Sequence, residues 1–413
     1  MMTFARVVSI SVLAALMCGT TINRQSNAAS EEDVDAAIAG NTQFALDLYE
    51  RLRTEPGNLF FSPYSISTAL AMTFAGARGA TAVEMAKTLH LDLPPDRQHA
   101  AFNALIADLN AAGHEGSFQL SVANALWGQK GFAFLEDFLS LVHENYGGTL
   151  QEVDFEGDTE GARLTINRWV EHQTKDKIKD LIPPGVLGVF TRLVLTNAIY
   201  FKGAWLHQFE EKQTAEAPFH LSADKQVSVP MMHQTEDFPY AETDDLQIVR
   251  LPYRGSASML ILLPKRLDGL ADLEKALSVE NLQKWLGLLR RRAVDLWMPK
   301  FKTTCQFNLA DVLKAMGMSL AFSKDLADFS GMTGNRDLFI SHVIHKAFVD
   351  VNEQGTEAAA ATAVGMLLTM APQHKEPVVF RADRPFVFLI LGGRSSSVLF
   401  VGRIANPLEK GAD

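Results

Sequence analysis

Apolar residues recur at helical spacing in three stretches of the chain, residues 44–52, 102–109 and 309–316. Asn41 stands before the first stretch, and we expect it to cap that helix because asparagine is favoured at helix N-termini. Each stretch therefore predicts an amphipathic helix with one face in the core.

Five shorter apolar runs with turn residues near their ends predict β-strands. They span residues 193–201, 259–263, 293–298, 386–391 and 398–401. Helical patterns dominate the first half of the chain and strand patterns the second, without the regular alternation of a doubly wound fold. No internal repeat and no linker rich in Pro, Gly or Ser divides the chain, so we predict one mixed α+β domain.

The composition is that of a globular protein. Of the 413 residues, 47% are hydrophobic and 21% are charged, which excludes collagen-like and wholly disordered chains. The formal net charge is −10, and the one basic cluster, Arg290, Arg291 and Arg292, is interpreted as a solvated helix end. Binding to a phosphate backbone needs a denser basic surface, so we expect no nucleic-acid partner.

Residues 1–28 have the pattern of a secretory signal peptide. Arg6 precedes an apolar run over residues 7–17, and small residues ending in Ala28 follow. The run is short for a bilayer span, and a lipid anchor on Cys18 is disfavoured by the bulky residue before it. We expect cleavage after Ala28, export to the extracellular space or a periplasm, and no membrane attachment afterwards.

No catalytic or cofactor motif stands out. Ser62 and His345 could be combined as a nucleophile and a base, but no Gly-x-Ser-x-Gly elbow surrounds Ser62. His345 lies in an apolar stretch, where a hydrogen-bonded core histidine is the simpler interpretation. Metal-ligand spacings, a Walker loop and a dinucleotide fingerprint are missing too, so we expect no enzyme, no metal and no cofactor.

Residues 358–372 carry no charge and begin with four alanines. Taken alone they could form a buried Ala-rich helix, because alanine has the highest helix propensity. Gly365 and Pro372 interrupt that pattern, and the larger apolar residues form a block and not a helical face. Long connections without regular structure are uncommon in compact domains and are usually functional.

Seven motifs, in order along the chain, resemble those of the serpin family. They are Asn58–Ala71, Asn167–Pro183, Thr196–Trp205, Met298–Phe301, Ala327–Gly331, His345–Phe348 and the closing pair Pro385–Phe386 with Phe400–Pro407. The resemblance implies a single serpin domain over residues 31–410. It also implies three β-sheets, eight or nine helices and an exposed reactive-centre loop at about residues 353–380.

In inhibitory serpins a target serine protease cleaves this loop and forms an ester with it. The cut loop then inserts as a strand into the central sheet and drags the protease along. This distorts the geometry on which the catalytic triad depends. The resemblance therefore implies a suicide-substrate inhibitor that forms a covalent complex with a serine protease and is itself a monomer.

The hinge of the loop carries the small residues that insertion requires. By resemblance it comprises Glu353, Gly355, Thr356, Ala358, Ala359, Ala360 and Ala361. Side chains alternate faces along a strand, so even-numbered residues from Thr356 onward would enter on the inward face, where small groups are accommodated at little packing cost. Thr356 would be the first to enter, and Glu357 would stay on the opposite face.

Two polar clusters follow from the same resemblance. The shutter cluster, beneath the point where the sheet opens, consists of Ser62, Ser65, Asn197 and His345. The breach cluster, at the top of the opening, consists of Trp205, Lys300 and Glu353, and a Lys300–Glu353 ion pair is expected. A buried polar network of this kind can be remade in a second state, which suits a gate.

The resemblance also implies where the reactive bond lies, which is found by counting along the loop from Glu353. Seventeen residues, inclusive, reach Thr369, so the bond would join Thr369 to Met370, with Leu368 as the rival reactive residue. These residues suit an elastase- or chymotrypsin-like pocket, whereas trypsin-like enzymes require Arg or Lys.

Two other functions are compatible with parts of the pattern. A non-inhibitory serpin acting as a carrier or chaperone would share the fold, but such proteins tend to have bulky or charged hinge residues. An exported hydrolase would need a nucleophile and a base that the sequence does not show. The small residues at 358–361 favour inhibition.

Overall fold

Ten α-helices and fifteen β-strands form the part of the protein that the computed structural model describes, residues 29–114, 118–356, 376–393 and 396–411. The helices are α1 (Glu31–Leu52), α2 (Pro63–Phe74), α3 (Gly79–Leu89), α4 (Pro95–His114), α5 (Glu136–Tyr146), α6 (Thr159–Gln173), α7 (Leu270–Ala276), α8 (Val279–Leu288), α9 (Ala310–Ala315) and α10 (Ser330–Thr333).

The strands run from near the N-terminus to near the C-terminus. They are β1 (Leu59–Phe61), β2 (Phe118–Gln129), β3 (Leu150–Val153), β4 (Leu193–Ala204), β5 (Ala215–His220), β6 (Gln226–Glu242), β7 (Leu246–Pro252), β8 (Ser258–Pro264), β9 (Arg290–Pro299), β10 (Phe301–Asn308), β11 (Ile340–Asn352), β12 (Gly355–Thr356), β13 (Val378–Arg381), β14 (Phe386–Gly392) and β15 (Ser397–Ile404).

The first helix begins earlier than the sequence predicted. Ser30 caps α1, and its hydroxyl group accepts a hydrogen bond of 3.2 Å from the backbone N–H of Asp33. Acidic residues in the first turn favour this start because they face the positive end of the helix dipole. The prediction that Asn41 is the cap is wrong. Asn41 lies buried within α1, and its side-chain amide donates to the carbonyl of Val398.

The other predicted elements are present. The helical stretches at residues 102–109 and 309–316 correspond to α4 and α9, and the five apolar runs correspond to β4, β8, β9, β14 and β15. The interpretation of Arg290, Arg291 and Arg292 as a helix end is wrong. Helix α8 ends at Leu288, and the three exposed arginines are the first residues of β9.

A six-stranded sheet carries the hinge and the shutter cluster, in the strand order β10-β11-β12-β4-β2-β3. Strands β4 and β11 are parallel and pair directly over residues 193–200 and 340–348. Helix α6 covers one face of this sheet with its buried residues Ala162, Ile166 and Val170.

The remaining strands form a nine-stranded sheet of order β1-β15-β14-β8-β7-β6-β9-β13, with β5 paired to β6. The long strand β6 pairs with β5, β9 and β7 in turn, so it joins two sets of strands into one sheet. The three strand sets implied by the resemblance are present, but two are connected. The α+β class is confirmed, and the described residues contain ten helices because the four-residue α10 is included.

Side chains alternate along β4 between two different cores. Ile199 and Phe201 lie in one core with Ile261 and Phe400 of the nine-stranded sheet. Ala198 lies in another core, with the buried residues of α6. We therefore call the side of the six-stranded sheet toward the nine-stranded sheet its inward face, and the side toward α6 its outward face.

Candidate functional site

The parallel ladder between β4 and β11 is where a further strand could enter the six-stranded sheet, and we call this ladder the seam. Its upper end is the end toward Gly203 on β4 and Val351 on β11. There β4 and β11 no longer pair with each other, because the short strand β12 pairs with both. The seam is thus closed over most of its length and occupied at its upper end.

Strand β12 follows β11 through a tight turn over residues 352–355. Gly355 and Thr356 pair with β11 on one side and with Ala204 and Gly203 of β4 on the other. The φ angle of Gly355 is +151°, and a Cβ atom there would lie 2.0 Å from the carbonyl oxygen of Gly203. Glycine is required here, because any side chain would push β12 away from β4.

Thr356 is fully buried in the sheet. Its hydroxyl group forms a 2.6 Å hydrogen bond with the hydroxyl group of Tyr253, whose ring stacks on Trp205 at a centroid distance of 4.3 Å. The expectation that Thr356 has yet to enter the sheet in the uncut protein is therefore wrong. The insertion that the resemblance implies would therefore begin with the residues that follow Thr356.

The breach cluster surrounds the turn that leads into β12. Lys300 donates to both carboxylate oxygens of Glu353, at 3.1 and 2.8 Å, and the hydroxyl of Thr214 donates to Oε1 at 2.8 Å. Burial of the Glu353 carboxyl opposes its ionisation, but these hydrogen bonds outweigh burial and lower its pKa. Trp205 Nε1 donates to the carbonyl of Asn352 over 3.0 Å, so all three predicted residues hold this turn.

The shutter cluster lies lower in the seam and is fully buried. Asn197 of β4 and His345 of β11 face each other across the seam, and His345 Nδ1 hydrogen-bonds to Asn197 Oδ1. Asn197 Nδ2 donates to the hydroxyl of Ser65 over 2.6 Å, and the backbone N–H of Ser65 donates to the hydroxyl of Ser62, the cap of α2. The structure thus brings together all four predicted residues, at a place where opening the seam must rearrange them.

The protonation of His345 follows from its two partners. The backbone N–H of Ser62 donates to Nε2 over 3.2 Å, so the ring proton must be on Nδ1, which donates to Asn197 Oδ1. Burial lowers the pKa of His345 to about 3, so the ring is neutral near pH 7. The interpretation of His345 as a hydrogen-bonded core histidine is confirmed.

Ser62 and His345 do not form a nucleophile and base. The hydroxyl of Ser62 donates to the carbonyl of Leu399 over 2.6 Å, and the hydrogen bond between Ser62 and the histidine ring comes from the backbone N–H of Ser62, not from its hydroxyl. Both residues have no exposed surface, so a substrate could not reach them.

Three residues of the site were missed by the sequence analysis. Asn124 of β2 completes the shutter cluster, where its Oδ1 accepts from Asn197 Nδ2 at 2.5 Å and from the Ser65 hydroxyl at 2.9 Å. A polar residue between two alanines in a strand was the available signal. Tyr253 and Thr214 left no such signal, because their contacts with the hinge join segments distant in sequence.

Several predicted site residues lie outside the described residues. They are Ala358, Ala359, Ala360, Ala361, Leu368, Thr369 and Met370, together with the signal segment 1–28. Within the described ranges no group of three possible metal ligands occurs. No helix of those ranges is long and apolar enough to cross a membrane.

We expect the uncut protein to lose stability as the pH falls from about 6.5 toward 3. An unfolded chain protonates His345 near pH 6.5, but the folded protein does so only near pH 3, so the unfolded state binds more protons between these values. Each such histidine costs about 1.4 kcal/mol of folding free energy per pH unit. Buried His99, with a pKa lowered to about 4, adds to the same trend.

Urea unfolding at pH 6.5 and at pH 5 measures this dependence, in a range where carboxyl groups contribute little. The variant His345→Gln should show a shallower dependence than the wild type, by about one proton. Equal slopes for the two proteins would contradict the assignment of His345 as a buried neutral histidine.

The comparisons with known proteins agree with this architecture. The family model described as Serpin (serine protease inhibitor) matches residues 39–407. An uncharacterised serpin-like protein of Thermococcus kodakarensis is 45% identical over 368 residues, which cover 89% of this chain and 84% of that protein. The leukocyte elastase inhibitor of Equus caballus is 43% identical over 378 residues, which cover 89% of this chain and 98% of that protein.

Among solved structures, human thyroxine-binding globulin in complex with thyroxine superimposes with a TM-score of 0.83 and 34% identity. The match covers 91% of this chain and 100% of that chain. The chain belongs to the serpin family, and the fold implied by the sequence motifs is confirmed.

Proposed function

We propose that this protein is a suicide-substrate inhibitor of a serine protease with an elastase- or chymotrypsin-like pocket. Its family is described as serine protease inhibitors, and relatives at 42–43% identity are named leukocyte elastase inhibitor. In this proposal the protease cuts after Thr369, with Leu368 as the rival, and forms an ester with the loop. Insertion of the loop into the seam then traps the protease as a covalent complex.

The position of β12 is the observation that carries the proposal. A strand that continued the pairing of Gly355 and Thr356 would run down the seam antiparallel to both β4 and β11. Opening the seam breaks one ladder and insertion forms two, so the net gain is one ladder. About ten hydrogen bonds at about 1 kcal/mol each give a gain on the order of 10 kcal/mol.

A gain of this size is comparable to the stability of a whole domain, so the uncut protein would be held by a kinetic barrier. The shutter cluster is one source of that barrier, because the hydrogen bond between Asn197 and His345 must break before a strand can pass. Leaving two buried polar groups unpaired costs about 1–3 kcal/mol each. Cutting the loop would free the segment that continues β12, and this segment could then form new hydrogen bonds with Asn197 and His345.

The alternative function, a non-inhibitory carrier, has a similar solved relative in thyroxine-binding globulin. The small residues at 358–361 and the seated β12 favour inhibition over transport. A carrier would bind a ligand without requiring its loop to be cut. The two functions therefore differ in what happens to an added protease.

The experiment is to incubate the protein with elastase, chymotrypsin and trypsin and look for a covalent complex on a denaturing gel. Mass spectrometry of the released C-terminal fragment gives the bond that was cut. A protease whose active-site serine is chemically blocked is the control and should give no complex. Cleavage without a complex by every active protease would reject the inhibitory function.

We expect Thr369→Arg to shift inhibition from elastase-like to trypsin-like proteases. Trypsin-like pockets hold a buried acidic group that pairs with the new guanidinium, whereas an apolar pocket would have to bury it unpaired. The ratio of the two inhibition rates should change by about a hundredfold or more. A cut outside residues 366–370 would show that the reactive bond is misplaced.

We also propose that the protein is exported after cleavage behind Ala28 and that it acts as a monomer. The charge, apolar run and small residues of the first 28 positions support export. N-terminal sequencing of the secreted protein should begin at Ala29, and its mass in solution should be that of one chain. If the N-terminal sequence begins at residue 1, the proposal of signal cleavage and export is wrong, but the proposed inhibition and monomeric state are unaffected.

A further inference from the structure

A cavity of about 280 Å³ lies at the lower end of the seam, where β4 and β11 begin. It is lined by Phe190 and Thr191 before β4, by residues 339–342 at the start of β11, and by Lys314 and Phe322. Phe190 is 76% exposed, which is unusual for a large apolar ring beside other apolar groups. The upper end of the seam holds a strand, and the lower end presents four apolar side chains among polar ones.

The register of β12 predicts which loop residues would reach this cavity. Thr356 lies opposite Gly203, and in antiparallel pairing each further loop residue moves one residue down β4. Met366 would then lie opposite Leu193, the first residue of β4. The next three residues, 367–369, would extend beyond the ladder to the level of residues 190–192.

Leu368 would lie on the side of the cavity. Its position differs from that of Thr356 by an even number, so an extended strand places both side chains on the inward face. Leu193 and Val343 belong to the core against which Phe322 and Phe339 pack. Leu368 would therefore point toward the aromatic rings of the cavity, and Leu367 would point to the outward face.

We propose that this cavity binds the side chain of Leu368 once the loop has been cut and inserted. The inference rests on the proposed function, because only insertion brings Leu368 to the lower end of the seam. Lys314, which lines the cavity, needs no anionic ligand there, since it already pairs with Asp311 at 3.0 Å and lies over the ring of Phe322. An apolar side chain is the occupant that this lining favours.

Docking of Leu368 would hold the end of the inserted strand against the protein. Thr369, to which the protease is esterified in the proposed mechanism, is the next residue. The length of flexible chain between the sheet and the trapped protease would then be close to zero. A short tether is what would press the protease against the inhibitor and distort its catalytic site.

A double-mutant cycle between Leu368→Ala and Phe190→Ser tests this contact in loop-cleaved protein. The loop is cut beyond Leu368 by a protease that is not trapped, and the cut is confirmed by mass. The cleaved Leu368→Ala protein should unfold in guanidinium about tenfold faster than the cleaved wild type. In the Phe190→Ser background, adding Leu368→Ala should increase the unfolding rate by much less than tenfold. The control Leu367→Ala, one residue away on the opposite face, should change the rate by less than about twofold.

Phe190 is exposed, so Phe190→Ser should leave the uncut protein folded and its unfolding rate unchanged. Equal effects of Leu367→Ala and Leu368→Ala, or no coupling with Phe190, would overturn the inference. Dissociation of a dimer by Phe190→Ser would overturn it as well, because a second copy would then cover the cavity. If cleavage does not stabilise even the wild type, the proposed function itself fails, and the two failures are thereby distinguished.

Discussion

The variant Ala360→Arg is expected to be cut by the target protease as fast as the wild type, but to form at most about a tenth of the covalent complex. The register of β12 would put residue 360 on the inward face, between Ile199 of β4 and Ala347 of β11, which are both fully buried. An unpaired guanidinium there would cost several kcal/mol. In the proposed mechanism insertion competes with deacylation, and an increase of ~1.4 kcal/mol in the barrier to insertion slows insertion tenfold.

Glu357→Arg is the matched control for this experiment. The same register would place residue 357 on the outward face, between Lys202 of β4 and Asp350 of β11, both partly exposed. Asp350 can pair with the new arginine there, so the complex should form as in the wild type. Titration of active protease and the complex band on a gel measure the outcome. Should Ala360→Arg trap protease as well as Glu357→Arg does, the insertion mechanism is wrong.

The structure decides where this test must be made. Sequence alternation alone pointed to Thr356 as the first inward residue, and an arginine there would have been the natural choice. Because Thr356 is already buried and hydrogen-bonded to Tyr253, such a variant would disturb the uncut protein before any protease acts. Residue 360 lies further along the same face, so it separates insertion from folding.

The parts of the fold that the sequence predicted are those with strong local periodicity. The strands β8 and β14 follow from short apolar runs, and the helix α4 follows from apolar residues at helical spacing. The wrong predictions concern residues whose role depends on a contact with a distant part of the chain, or on the strand to which they belong. Asn41 is a good cap by type, but its amide is bound to the carbonyl of Val398, 357 residues away. Arg290 to Arg292 follow the end of a helix after one intervening residue but belong to β9.

The site divides in the same way. Ser62, Ser65, Asn197 and His345 were found only because their motifs resemble those of a known family, and no local pattern joins them. The fold brings them together because β4 and β11 are adjacent and the first turn of α2 lies against them. Asn124 has the same role but lies in none of the seven motifs. The sequence therefore showed the cluster residues that lie in family motifs, but it did not show Asn124, which completes the cluster.

Cleavage of the loop is expected to raise the melting temperature by about 10 °C or more. The net gain of one ladder, on the order of 10 kcal/mol, divided by the unfolding entropy of a chain of nearly 400 residues gives a shift of this size. Calorimetry of the uncut and cleaved proteins measures it. Cleaved Ala360→Arg is the control, because its loop is cut but should not insert fully. Equal melting of uncut and cleaved wild type would point to a non-inserting serpin.

A part of this gain should depend on the hydroxyl group of Thr362. Continuing β12 along both neighbours would place Thr362 between Asn197 and His345, where the bond between them has been broken. One hydroxyl can accept from His345 Nδ1 and donate to Asn197 Oδ1, so both buried groups regain a partner. Valine has the same shape without the hydroxyl and would leave both unpaired, at about 1–3 kcal/mol each.

Cleaved Thr362→Val should therefore melt about 2 °C or more below cleaved wild type. Thr362→Ser should retain most of the stability, and the three uncut proteins should melt together. If valine and serine behave alike after cleavage, Thr362 does not remake the shutter cluster.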